Sequence, residues 1–181
     1  YNYTNGVFNI MSELRTNRIV PRDGLVSTTT SAGGVIQVKH TIFTGIASRT
    51  TSSYDFDALV TSDAITPTRS DSKIMIMAML SLVGESGHPF ALKIKRNGSY
   101  ISAAQGDSSG SKELVTTGIP TQSNDYTLGN VFVQFLDSPA STSAQTYKFN
   151  ISHGSSSQRA VYINKTDNDG NSYQYTRGIS T

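Results

Sequence analysis

Seven consecutive residues, Ile74 to Leu80 (IMIMAML), carry no polar side chain on either parity. A strand with one face in water alternates apolar and polar residues, because successive side chains point to opposite sides. This run does not alternate, so a strand here needs cover on both faces. A small polar corner holding Pro67, Arg69, Asp71 and Lys73 leads into it. The fold must therefore supply a second layer beneath the strand and something more above it.

The rest of the chain supplies the second layer. From Gly33 onward short strand signals recur: VIQVKHTIF (35–43), YDFDALV (54–60), FALKIKRNGSYI (90–101), VFVQFL (131–136), TYKFNIS (146–152), AVYIN (160–164) and SYQYT (172–176). In 90–101, Phe90, Leu92 and Ile94 share a face, and Asn97-Gly98 offers the two positive φ angles of a type I′ turn, so the segment predicts a hairpin. In 146–152, Tyr147, Phe149 and Ile151 oppose Lys148, Asn150 and Ser152. No segment of ten residues or more has a convincing helical period, and MSELRTN (11–17) offers two turns at most. Many short strands between turn signals predict an all-β chain, an antiparallel sandwich of jelly-roll type.

Residues 1–32 differ from this pattern. Their apolar residues are scattered, Pro21 and Gly24 interrupt regular structure, and the segment ends in a Ser/Thr/Gly-rich linker. The expected organisation is an extended N-terminal arm over 1–32 and a sandwich head over 33–181. A chain of 181 residues with no cysteine can bury a core without staples, but it offers no disulfide and no thiolate metal site.

Two covers for the dry strand come into question. One is another subunit, with Met75, Met77 and Met79 at the interface, since unbranched methionine adapts to an irregular seam. The other is the N-terminal extension of the same chain. On the subunit reading, Ile74, Ile76, Ala78 and Leu80 face the core.

Each candidate for chemistry has a plainer explanation. His40, His88 and His153 lack the spacing of a zinc motif and read as turn or surface histidines. DNDGN (167–171) resembles a calcium loop but lacks its downstream glutamate, and the same residues crowd into ordinary turns. Asp55 and Asp57 would sit roughly 6–7 Å apart on one strand face, within reach of inverting glycosidase geometry, yet a solvated outer face also accounts for them. There is no GxSxG elbow, P-loop or dinucleotide fingerprint, and serine is too abundant to single out a nucleophile. The expectation is no enzyme, no catalytic residue, no cofactor and no metal. The net charge of +2 is spread out, without a basic run interleaved with aromatics, which argues against nucleic acid. No apolar run approaches the roughly 20 residues that span a bilayer, so no membrane insertion is expected.

Several phrases together resemble a known family: SELRTNRIVPRDG (12–24), GGVIQVK (33–39), ITPTRSDSKIMIMAML (65–80), LKIKRNGSYI (92–101), DSPAS with TYKFNI (137–151) and RGIST (177–181). In order and spacing they are similar to small virion structural proteins of tailed phages, above all marine cyanophages, often described as tail-fibre proteins. The resemblance covers residues 11–181. It implies a homotrimeric jelly-roll head on the virion surface, for host attachment through a surface glycan or protein. It also implies that the arm binds other phage virion proteins through Leu14, Arg15, Asn17, Arg18, Ile19, Pro21 and Asp23. The alternative function is capsid decoration on the particle exterior; a capsule depolymerase, which would need an acidic pair or a triad in a cleft, is the third.

Overall fold

The computed structural model describes residues 35–51, 55–121, 123–124 and 126–181, with backbone alone for 51 and 55–59. Residue contacts divide the chain into two units, Tyr1–Val38 and Lys39–Thr181. Of the first unit, only residues 35–38 are described; Val35 and Val38 are exposed and belong to no strand.

The second unit is an all-β sandwich. Its strands are β1 (Ala47–Thr51), β2 (Asp55–Thr61), β3 (Ile74–Gly84), β4 (Phe90–Arg96), β5 (Ser99–Tyr100), β6 (Thr117–Ile119), β7 (Asn130–Asp137), β8 (Tyr147–His153) and β9 (Arg159–Ile163). One sheet has the order β1-β9-β3-β7; the other runs β2-β8-β4-β5, with β6 also on β4. Every strand pair is antiparallel. With the two-residue β5 left out, the sheets interleave first-eighth-third-sixth and second-seventh-fourth-fifth strands, the order of a jelly roll.

The core lies between the sheets and follows strand parity. Ile74, Ile76, Leu80 and Leu82 of β3 and Val131 and Val133 of β7 meet Leu92 and Ile94 of β4 and Phe149 and Ile151 of β8. Each such side chain contributes about 1.5–3 kcal/mol by leaving water. The β4–β5 turn has the expected geometry, with φ of 49° at Asn97 and 86° at Gly98. The Asn97 side chain also accepts from the Thr146 amide at 2.9 Å, so the turn is fixed to the start of β8.

Several sequence expectations need correction. Residues 35–42 form no strand, and only Phe43 makes an isolated bridge, to Ser180. The segment 172–176 is a turn. β1 (ASRTT) and β6 (TGI) escaped notice because they are polar or very short, and pairing with β9 and β4 makes them strands. In a single copy, β3 is dry on both faces at Leu80–Val83, where Ser81 and Val83 on the outer parity are buried, while Met75 and Met77 are exposed. Ser81 is dry because the C-terminal segment packs on it: a Cβ on Gly178 would lie 2.4 Å from its Oγ.

Candidate functional site: an apolar outer face on β3 and β7

β3 and β7 pair over eight residues, from Ile74 opposite Asp137 to Ser81 opposite Asn130. This register sets Met75 beside Leu136, Met77 beside Gln134 and Met79 beside Phe132. All six lie on the outward parity. Met77 is 72% exposed, Phe132 74%, Leu136 52% and Met75 49%. Ile74, Ile76 and Leu80 occupy the core parity, with Ala78 partly buried against them, so the branched residues rather than the methionines fill the core.

Pairing on the opposite edge of β3 makes these rows tight. Met79 exchanges both backbone hydrogen bonds with Thr181, at 2.8 and 2.9 Å. In an antiparallel sheet, hydrogen-bonding direction alternates along the strand, so the odd-numbered residues of β3 are non-hydrogen-bonded pairs toward β7. Such pairs bring their side chains closest. The result is a continuous apolar strip on the outside of a sheet whose last strand, among the described residues, is β7.

The polar corner before β3 is ordered by its own charges. Arg69 donates from Nε and a terminal nitrogen to the two oxygens of Asp71, each at 2.8 Å. That hydrogen bonding holds the Asp71 carboxyl below its ordinary range and raises the Arg69 guanidinium. Lys73 donates to Ser138 Oγ at 2.6 Å, joining the corner to the end of β7.

The second sheet has a different outer face. Lys93 and Asn150 lie opposite each other on β4 and β8 and are buried, at 5% and 1% exposure. Lys93 pairs with Glu113 from the β5–β6 connection. The Tyr100 hydroxyl donates to Asn150 Oδ1 at 3.0 Å, and the ammonium groups of Lys93 and Lys95 sit 4.8 and 4.7 Å from the Tyr100 ring centre. Sequence parity marks Lys93 and Asn150 as outward-facing, and they are; it carries no signal that a connection returns over them. The backbone register continues this row to Asp57, and that of Ser152 to Asp55, but the two aspartate side chains lie outside the described ones. The arrangement ties a loop to a sheet.

The remaining candidates do not converge. Among the described residues no three acidic, histidine or cysteine side chains could hold a metal ion together. His153 is buried against Phe90, with ring centres 5.9 Å apart, far in sequence from exposed His40 and half-buried His88. In DNDGN, Asp169 is ion-paired to Arg177 at 2.8 Å. The arm residues Leu14, Arg15, Asn17, Arg18, Ile19, Pro21 and Asp23 lie outside the described residues. No helix among the described residues is long and apolar enough to cross a membrane. No protein-family model matches the chain, and no curated protein matches it.

Proposed function

We propose that this chain is a non-enzymatic virion structural protein of a tailed phage, assembling through the outer face of β3 and β7 into a trimeric surface module for host attachment. The observation that carries the assembly is the strip of Met75, Met77, Phe132 and Leu136. Natural sheets protect an outermost strand with charge, proline or a bulge. β7 instead presents phenylalanine and leucine outward, and contiguous exposed apolar surface of this kind marks an interaction site. Methionine suits such a seam because it repacks against an irregular partner.

The number three, the virion location and the anchoring role of the arm rest on the resemblance over residues 11–181. The absence of catalysis rests on the sequence, which offers no cofactor motif and no acidic pair beyond Asp55 and Asp57.

The test is mass by light scattering on the purified protein, together with its copy number per virion. A trimer present in a few copies per particle supports an attachment module. Hundreds of copies on the capsid would replace it with the decoration reading, and a monomer at high concentration would refute the seam.

A further inference from the structure

The outer face of the second sheet buries an amine beside an amide. Lysine and asparagine on an outward parity usually stay in water, yet Lys93 and Asn150 are both buried. They are direct partners on β4 and β8. The carbonyls of Leu92 and Ile94 accept from the Thr116 and Ile101 amides, at 2.8 and 3.1 Å. Even-numbered residues of β4 therefore bond toward β6 and β5, and odd-numbered ones toward β8. That makes Lys93 and Asn150 a hydrogen-bonded pair, about 5.5 Å apart at Cα. Their side chains rise together from one face, so the long lysine stem can fold its amine over the asparagine amide.

Two further groups converge on the pair. A carboxylate oxygen of Glu113 is in contact with Lys93 Nζ. The Tyr100 hydroxyl donates to Asn150 Oδ1 at 3.0 Å, and Nζ lies 4.8 Å from the centre of the same ring. Amine, proton acceptor, amide and a donor to the amide oxygen thus share one side of β4 and β8. Lys95, the other ammonium at Tyr100, has Lys148 opposite it on β8 and no amide there.

We propose that Lys93 and Asn150 join in an intramolecular isopeptide bond, Nζ to Cγ, with loss of ammonia. Glu113 takes a proton from the Lys93 ammonium, and the freed lone pair of Nζ attacks Asn150 Cγ. The carbonyl electron pair moves onto Oδ1, where the Tyr100 hydroxyl stabilises it. Glu113 then gives its proton to Nδ2, which departs as ammonia with the C–N electron pair. Nζ sheds a proton to Glu113 as the amide forms, and the ammonia carries that proton away as ammonium. Nothing is oxidised or reduced, and no co-reactant is needed. The strand register supplies the proximity that lets an unactivated amide react. The product joins β4 to β8 covalently in a chain with no cysteine for a disulfide, and restrains the unfolded chain as a disulfide would. The inference stands without the virion reading.

The test is the intact mass of the purified full chain, followed by tryptic mapping with fragmentation. The folded parent should weigh one ammonia less than its sequence, trypsin should no longer cut after Lys93, and one fragment should join the peptides that carry Lys93 and Asn150. Lys93→Arg, Asn150→Ala and Glu113→Gln should each keep the full mass. Glu113 is 61% exposed, so its glutamine variant should retain the parental circular dichroism spectrum even if the buried substitutions disturb folding. A parent at full sequence mass, unchanged on prolonged incubation, would overturn the bond. So would an ammonia loss that maps to Asn97-Gly98, where cyclisation to a succinimide expels the same molecule. A Glu113→Gln protein cross-linked to the parent's extent would overturn the role of Glu113.

Discussion

The Ser180 hydroxyl donates a 2.8 Å hydrogen bond to Oδ1 of Asn164, and this contact locates the C-terminal segment within the sheet. Asn164 is fully buried and has a left-handed φ of 57°. Its side-chain nitrogen donates to the carbonyls of Phe43 and Gly45 at 2.7 and 2.8 Å, and its backbone amide to Ser81 at 2.9 Å. One side chain thus holds together the end of β9, the segment before β1 and the C-terminal residues.

Asn164→Ala removes three side-chain hydrogen bonds, leaves the buried Ser180 hydroxyl without its acceptor and puts a Cβ-bearing residue without a compensating polar group at positive φ. A loss of about 3 kcal/mol is expected, measured by urea unfolding. Asn164→Gly should keep the backbone geometry yet lose the same bonds, so a glycine variant as stable as the parent would show that the side chain matters little.

Tyr147 predicts an alkaline limit to stability. Its hydroxyl donates to Asp137 Oδ2 at 2.7 Å, while Arg96 holds the same carboxylate at 2.8 Å, so β8 and β4 of one sheet are tied to β7 of the other. Burial first, and then the hydrogen bond to Asp137, push the tyrosine well above its ordinary value. A raised folded-state pKa means that the stabilisation is intact below about pH 10, where the unfolded tyrosine titrates, and is lost as pH climbs toward the folded value. Tyr147→Phe should cost about 1 kcal/mol at neutral pH and flatten the decline above about pH 10. An identical alkaline slope in both proteins would assign the decline to other groups.

Met77→Lys separates folding from assembly. At 72% exposure in a single copy, the lysine has water around it and the head should fold normally. In a desolvated seam an unpaired charge costs several kcal/mol, repeated in every subunit. A monomer by light scattering with a parental circular dichroism spectrum is the expected outcome; an assembly as stable as the parent's would move the seam elsewhere.

Gly84→Ala tests packing at the end of β3. An added Cβ would lie 2.3 Å from the ring of Phe90, itself only 4% exposed. Displacing a buried ring should cost about 1–3 kcal/mol. A thermal midpoint unchanged from the parent would mean that Phe90 has room to turn.

Chelator treatment should leave the thermal midpoint unchanged, because a bound structural ion would add stability by linkage. A midpoint that falls in chelator and recovers with calcium would restore 167–171 as a site, despite the ion pair of Asp169 with Arg177.

Local patterning determined what neighbouring residues could encode. The all-β class, the shared faces of Phe90, Leu92 and Ile94 and of Tyr147, Phe149 and Ile151, and the Asn97-Gly98 turn were legible because alternation and positive φ act over two to five residues. The apolar character of 74–80 was legible too, but not its surroundings. Whether a given face of a strand is wet depends on what comes back over it, and those segments lie far off in sequence. Glu113 covers Lys93 from twenty residues away; Gly178 and Ser180 seal Ser81 from nearly one hundred. Strand identity at β1 and β6 was likewise decided by partners, since polar residues such as ASRTT become a strand only when β9 supplies the other half of the ladder.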